Sequence, residues 1–321
     1  MMRFGLVITL AAFVLGAAAP AHAFPIAVES CFDTVRFDAA PRRAVVNDTN
    51  MVQTMLDLGL ADRIIGVSGI AGVERHLIAP PGVVARLNQF VDRAPLLEAV
   101  LGLDPDFMFA GWSYGFTPAR GLTPETLGAM GVKSYVLRES CIRIGRREPI
   151  SMETLYTDIR ALGAIFGIED RAAGVVAGLE ARVATVAERL RGAGEPPRVM
   201  YCSDCNTTSP PVSVGAEGMT SLITRLAGGR NIFDDIPNSY VRVSWEEVVR
   251  RDPQWILISD HRLPVEAIIR HLTSDPQLAQ VEAVRKRQFV FITYAEQTPS
   301  TRSVDGLEKI ARALYPGRFG P

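Results

Sequence analysis

A twelve-residue pattern that occurs twice is the feature that most constrains the fold of this chain. The first copy, EAVLGLDPDFMF, begins at Glu98, and the second, EEVVRRDPQWIL, begins at Glu246, 148 positions later. Each reads as a short helix that opens on a carboxylate, a stop at Asp-Pro and an apolar strand, since proline cannot continue a helix. The pattern predicts two lobes of similar build, each with one glutamate at an equivalent place. Chance recurrence is the alternative, because helix–proline–strand junctions are common in α/β proteins.

Residues 1–23 have the features of a secretory signal peptide. Arg3 precedes an apolar run over residues 4–14, and small residues lead to a cleavage site after Ala23. The run is too short to span a membrane, and no later stretch is long and apolar enough. Because no cysteine follows the cleavage site directly, we expect no lipid anchor. We therefore expect a soluble mature protein in a bacterial periplasm.

Composition and charge narrow the classes of partner. A chain of 321 residues has room for two domains with full cores. Its formal net charge of −1 gives no support for nucleic acid or an anionic membrane surface as a partner.

The four cysteines, Cys31, Cys141, Cys202 and Cys205, are expected to pair in an oxidising compartment. Four cysteines allow three pairings, and we prefer Cys31 with Cys141 and Cys202 with Cys205. The C-x-x-C pair has two alternative roles, redox exchange and metal binding. A redox site normally opens a helix, but two prolines follow here. A zinc site needs a second pair or clustered histidines, and His76, His261 and His271 are far apart in the sequence.

Elements alternate in α/β fashion on both sides of a long helical stretch. The first unit has predicted strands at 43–47, 63–68, 107–110 and 133–137, with helices at 49–58 and 124–130. The second has strands at 198–202, 255–259 and 289–292, with helices at 220–226, 244–251 and 304–314. Between them, apolar residues recur at helical spacing over 151–191, with a possible break at 167–170. We predict an α/β protein with two Rossmann-like lobes of mainly parallel strands, 24–150 and 193–321, joined by a single long helix at 151–192.

Several segments resemble one family of transport proteins. They are PRRAVV at 41–46, LDLGLADRIIGVS at 56–68, the two Glu…Asp-Pro segments, GGRNIF at 228–233 and VSWEEV at 243–248. In order and spacing they are similar to the periplasmic substrate-binding proteins of ABC importers that carry ferric siderophores, corrinoids and haem. The resemblance implies two α/β lobes joined by one long helix, a small-molecule metal chelate as ligand, and a dimeric importer permease as partner. It also implies a monomer that catalyses no reaction and holds no cofactor or metal of its own.

The resemblance gives the repeated glutamates a role. In such proteins one glutamate on each lobe docks into arginine pockets of the two permease subunits, which assigns Glu98 and Glu246 here. Ser244 and Glu247 form a plausible capping box, which leaves Glu246 free on the first turn of an exposed helix. Two ordinary acids at helix starts are the alternative.

A ligand is expected between the lobes, against the loops at the carboxyl ends of strands. Aromatic rings there supply flat contact and arginines meet anionic groups. The candidate ligand-binding residues are Trp112, Tyr114, Arg138, Tyr240, Trp245, Tyr294 and Arg302. Trp245 has a core position as its alternative, and we assign Trp255 to the core because it lies inside a strand.

Other functions explain less of the sequence. Residues 111–115 match G-x-S-x-G, the motif of a secreted serine hydrolase, but Pro118 and Pro124 oppose the helix that this motif needs. Direct capture of zinc or manganese needs three or four converging ligands. Haem needs an axial ligand, for which His76, Tyr114 and Tyr240 are available. We rank a ferric siderophore first, a corrinoid second, and haem or another chelate third.

Overall fold

The computed structural model describes residues 24–145, 148–203, 205, 210–260 and 264–320. The expected signal peptide and His261 lie outside these residues. Within them, no helix is both long enough and apolar enough to cross a membrane.

The first lobe is built on a parallel sheet. A hairpin of β1 (Ile26–Ser30) and β2 (Asp33–Phe37) precedes it. Then come β3 (Ala44–Asn47), α1 (Thr49–Asp57), β4 (Ile64–Ser68), β5 (Gln89–Val91), α2 (Leu97–Leu101), β6 (Phe107–Trp112), β7 (Gly115–Phe116), α3 (Pro124–Ala129) and β8 (Lys133–Val136). The strand order is β5-β4-β3-β6, with β7 and β8 both paired to β6, and every pair is parallel.

Two helices follow, and a second lobe with its own parallel sheet completes the chain. The helices are α4 (Met152–Phe166) and α5 (Glu169–Arg189). The second lobe contains β9 (Arg198–Cys202), β10 (Val212–Val214), α6 (Met219–Leu226), β11 (Arg230–Asn231), β12 (Tyr240–Arg242), α7 (Trp245–Arg251), β13 (Trp255–Asp260), α8 (Val265–Ser274), α9 (Glu282–Arg285), β14 (Phe289–Thr293), α10 (Tyr294–Gln297), α11 (Ser303–Leu314) and α12 (Pro316–Phe319). The sheet order is β11-β9-β13-β14, and β10 pairs antiparallel with β12. This α/β architecture confirms the predicted fold class.

The single helix expected over 151–192 is instead a pair of helices. Gly167 has a left-handed backbone with φ 66° and ends α4, and the chain then folds back. The two helices pack closely, because a Cβ added at Gly163 would lie 2.5 Å from the Cβ of Ala172. Helix α5 is the element that contacts the second lobe, through Arg182, whose guanidinium lies 2.9 Å from Glu308. The break between the two helices lies within residues 167–170, where the sequence indicated a possible interruption.

The repeated pattern gives the same local structure in both lobes. Asp104 and Asp252 each adopt a left-handed backbone, with φ of 53° and 42°. Their carbonyl oxygens each accept a hydrogen bond from an arginine at the start of the neighbouring strand, Arg43 at 2.5 Å and Arg198 at 2.8 Å. The residue two positions after each aspartate accepts from the backbone N–H of that same arginine, at 2.9 and 3.0 Å. The turns after α2 and α7 therefore have the same backbone conformation and the same pattern of hydrogen bonds.

The disulfides form as predicted, and the predicted cap of α7 forms in part. Cys31 is bonded to Cys141 and Cys202 to Cys205, which confirms the preferred pairing. Ser244 caps α7 by accepting from the backbone N–H of Glu247 at 3.2 Å. The returning half of the expected capping box is not formed, because the Glu247 carboxylate pairs with two arginines of its own helix.

Candidate ligand site between the lobes

Four tyrosines from both lobes meet where the carboxyl ends of the strands face each other. Tyr114 follows β6 in the first lobe, Tyr201 lies near the end of β9, Tyr240 opens β12 and Tyr294 follows β14. Tyr114 and Tyr201 are buried, with 6% and 1% exposure. Tyr114 interacts electrostatically with each of the other three. We call these four residues the tyrosine cluster.

Arg143 supplies a positive charge to the tyrosine cluster. It lies in the 3₁₀ helix Arg138–Ile144, which follows β8. Its guanidinium carbon is 4.3 Å from the centre of the Tyr114 ring, a cation–π geometry. It also donates hydrogen bonds to the Tyr114 hydroxyl at 3.2 Å and to the Trp112 carbonyl at 2.8 Å. Burial alone would lower the pKa of Arg143, but Tyr114 and Glu139 raise it above its ordinary value. The guanidinium therefore stays charged.

The tyrosines are neutral phenols at physiological pH. Burial raises the pKa of Tyr114 to about 12. Burial also raises the pKa values of Tyr201, Tyr240 and Tyr294 above the ordinary range. Each hydroxyl thus keeps its proton and can donate one hydrogen bond while accepting others. The Tyr294 hydroxyl donates a hydrogen bond to the carboxylate of Asp48 in the opposite lobe, at 3.1 Å.

Several buried polar atoms around this junction lack a hydrogen-bond partner among the described residues. They include Oε2 of Glu139, Oδ1 of Asn50, the Tyr201 hydroxyl and both side-chain polar atoms of Gln297. Asn50 lies at the junction itself, since its amide donates to the carbonyl of Pro299 in the other lobe at 3.0 Å. Buried polar groups are nearly always paired, so such a concentration marks a place where water or a ligand belongs.

Two groups of ion pairs connect the lobes. Asp57 of α1 pairs with Arg302 at 2.8 Å. Asp260 at the end of β13 pairs with Arg75 at 3.1 Å and with His76 at 3.3 Å. Burial lowers the pKa of His76, although Asp260 opposes this.

The structure brings together three of the seven predicted ligand-binding residues, namely Tyr114, Tyr240 and Tyr294. The other four have different neighbours. Trp112 packs against Phe116, Trp245 lies edge-on to His271, Arg138 pairs with Glu148 and Glu29, and Arg302 pairs with Asp57 and Asp305. Trp245 thus occupies its alternative place, against the core of the second lobe.

Four site residues were not predicted from the sequence, namely Tyr201, Arg143, Glu139 and Asp48. The signal that the sequence offered for them was their place along the chain, because each lies at or soon after the end of a parallel strand. The turn of the 3₁₀ helix decides which side chains of 138–144 face the other lobe. It directs Glu139 and Arg143 toward the tyrosine cluster and Arg138 toward Glu29 and Glu148.

The hydrolase motif lacks its structural context. Ser113 has a left-handed backbone with φ 62°, and β7 follows it two residues later. A nucleophile elbow leads from strand to helix, so a strand at this position does not support that reading.

The two repeated glutamates lie at equivalent surface positions. Glu98 is in the first turn of α2 and Glu246 in the first turn of α7, and both are exposed. Backbone N–H groups and the Ser244 hydroxyl lower the pKa of Glu246, so its carboxylate is ionised.

Comparisons with known proteins agree on the family. Residues 45–295 match the family model described as "Periplasmic binding protein". A "Cobalamin-binding protein" of Halobacterium salinarum is 27% identical over 314 residues, which cover 92% of this chain and 75% of the relative. A "Vitamin B12-binding protein" of Vibrio vulnificus is 25% identical over 260 residues, covering 80% and 84%.

Solved structures show the same fold. One described as an ABC-type Fe3+-hydroxamate transport system, from Saccharomonospora viridis, has a TM-score of 0.79 at 24% identity and covers 90% of this chain and 99% of that chain. A periplasmic haem-binding protein of Roseiflexus has a TM-score of 0.70 at 21% identity, covering 86% and 99%. Since the matched segment spans most of the sequence, this chain belongs to the periplasmic binding protein family, whose members are the substrate-binding components of transport systems.

Proposed function

We propose that this protein captures a metal chelate between its two lobes and delivers it to an ABC importer. The observation that carries the proposal is the tyrosine cluster with Arg143, to which both lobes contribute buried polar groups. A flat or rounded chelate in that position would contact aromatic faces and phenol hydroxyls from both sides. A chelate bound there would contact both lobes, and such binding requires no chemical reaction.

The charges at the site favour an uncharged chelate. Arg143 is balanced by the carboxylates of Glu139 and Asp48, which interact with the same tyrosines. Among the described residues at the tyrosine cluster, a polyanionic ferric complex would meet one guanidinium and two carboxylates. A corrinoid, whose side chains are amides, suits the site best, and the names of the curated relatives support the same choice.

A neutral ferric hydroxamate is the second candidate ligand. The sequence ranking placed a ferric siderophore first, and the fold similarity to the protein from Saccharomonospora viridis supports that class. The phenol hydroxyls would serve hydroxamate oxygens as well as amides, so charge does not separate these two chelates.

Delivery would use the exposed glutamates on the two lobes. We propose that Glu98 and Glu246 bind arginines on the two subunits of a dimeric permease, with this protein acting as a monomer. Charge pairs of this kind set orientation more than raw affinity. Residues 1–23 would direct export to the periplasm.

Calorimetric titration of residues 24–321 tests the proposed ligand. The panel contains cyanocobalamin, a neutral ferric hydroxamate, an anionic ferric catecholate and haem. We expect saturable binding of cyanocobalamin with a Kd in the micromolar range or tighter. Arg143→Met should weaken it about tenfold, because the guanidinium no longer holds the Tyr114 ring in place and no longer offers a charge-assisted hydrogen bond to the chelate. Arg230→Met is the matched control, since Arg230 is exposed and has no ion pair among the described residues. A folded protein that binds none of the four chelates contradicts the proposal.

A further inference from the structure

Glu139 is a buried carboxylate whose hydrogen bonding is incomplete. It follows β8 in the 3₁₀ helix Arg138–Ile144 and is 6% exposed. Its Oε2 atom has no hydrogen-bond partner among the described residues. A charged oxygen left in this state costs free energy, so a donor is expected to reach it in the functional form of the protein.

Glu139 faces charged and titratable groups from both lobes. Those of the first lobe are Arg143, Tyr114, Arg138 and Glu148, helix α4 contributes Asp158, and the second lobe contributes Tyr240 and Glu217. Among the described residues of this set, only Arg143 and Arg138 are positive, and Arg138 already pairs with Glu29 and Glu148. The surroundings of Glu139 therefore attract donors and repel anions.

The space beside Glu139 is small and lies between the lobes. A cavity of about 20 Å³ is lined by Glu139, Thr154 and Ile142 on one side and by Glu217 on the other. That volume is close to that of a single water-sized group. It admits one amide NH₂ or ammonium head and excludes a macrocycle.

We infer that Glu139 accepts a hydrogen bond from an N–H donor on the edge of the bound chelate, either a side-chain amide or an ammonium group, and thereby selects chelates that carry one. The inference rests on the proposed function and deepens it. A chelate without such a donor leaves the carboxylate unpaired, and a chelate with a carboxylate there meets repulsion. Sites built on a buried hydrogen-bonding group discriminate strongly against ligands that lack the partner.

Glu139→Gln is the direct test, because glutamine keeps the shape and removes the charge. Two probes separate the two sources of the donor, cyanocobalamin with its amides and ferrioxamine B with its ammonium group. We expect the variant to bind cyanocobalamin about tenfold more weakly, since a charge-assisted hydrogen bond becomes a neutral one. If the donor is an ammonium group, ferrioxamine B loses affinity and cyanocobalamin does not. Unchanged affinity for both probes overturns the inference.

A ligand that carries a carboxylate and a variant at a distant position provide two further comparisons. The monocarboxylic acid of cyanocobalamin, in which one side-chain amide is hydrolysed, should lose less affinity in the variant than cyanocobalamin does. Glu195→Gln removes an exposed carboxylate in the loop after α5 and should leave every affinity unchanged.

The pH dependence of binding provides a second readout. Burial raises the pKa of Glu139, and only its deprotonated form is a pure acceptor. Affinity of the wild type should therefore fall as pH decreases, at a higher pH than for an ordinary carboxyl group, and the Glu139→Gln profile should be flatter. Wild-type and Glu139→Gln profiles of the same shape contradict the inference. If the wild type binds no chelate at all, the proposed function fails instead, so the two failures are distinguishable.

Discussion

Asp158 is a buried carboxyl group at the point where α4 meets the first lobe. It is 1% exposed, and it accepts hydrogen bonds from the Tyr135 hydroxyl at 2.8 Å and from the backbone N–H of Arg138 at 3.2 Å. Burial raises its pKa from 3.8 to about 7. The folded protein thus holds this proton more tightly than the unfolded chain does, so the free energy of unfolding loses this contribution as pH rises from 4 to 7.

Asp158→Asn should remove that dependence on pH. We expect the free energy of unfolding of the wild type, minus that of the variant, to fall between pH 4 and 7 by at most about 1.4 kcal/mol per pH unit. Urea denaturation of both proteins at several pH values measures it. Asp234→Asn, at an exposed position, serves as control and should show no such trend. A difference that stays constant across this range would mean that Asp158 titrates normally.

Single residues show what a sequence pattern can and cannot locate. Tyr114 and Tyr294 were predicted because they follow predicted strands, where α/β proteins place ligands, and Tyr240 because it lies in the segment before the Glu246 helix. Arg138 was chosen over Arg143, although both follow β8. Only the turn of the 3₁₀ helix, which depends on packing against β6 and α4, decides which of the two faces the tyrosines.

Helices α2 and α7 are the elements that would meet the permease. Their first turns carry Glu98 and Glu246, and the geometry after each helix is the same in both lobes. Replacing both glutamates by alanine should abolish chelate uptake by cells and leave the Kd of the purified protein unchanged, because both side chains are exposed and neither is among the charged groups that act on the four tyrosines. Transport of labelled chelate and calorimetry give the two quantities.

Glu125→Ala is the matched control for the docking test. Glu125 is likewise an exposed glutamate in the first turn of a short helix, α3. Its loss should leave uptake intact. Equal losses of uptake and of ligand affinity in the double variant would show that the assignment of Glu98 and Glu246 to docking is wrong.

Elements were predicted best where local signals define them. Strands β9 and β13 and helices α6, α7 and α11 lie within a residue or two of the predicted positions, because glycines, prolines and caps bound them. The hairpin of β1 and β2 was missed, since its strands are short and partly exposed. The pairing of β10 with β12 joins segments more than twenty residues apart, and local patterns do not encode such pairings. Helical apolar spacing resumes after the possible break at 167–170, so periodicity alone did not show that the chain reverses there.

At the scale of the whole molecule, the lobes are held together by more than the connecting helices. Asp57 pairs with Arg302, and Asp260 contacts Arg75 and His76, so residues of both lobes take part in each group of ion pairs. Helix α5 adds the contacts of Arg182 with Asp305 and Glu308. These ties favour a small adjustment on binding over a wide closure, which suits a protein that presents two glutamates at a fixed separation.

Binding of a chelate between the lobes should protect the backbone around the tyrosine cluster. Hydrogen–deuterium exchange of the protein with and without saturating cyanocobalamin measures this protection. We expect slower exchange in segments of both lobes, at 111–116 and 138–145 in the first and at 239–242 and 293–298 in the second. Protection confined to one lobe, or to surfaces away from these segments, would show that the chelate does not bind at the tyrosine cluster.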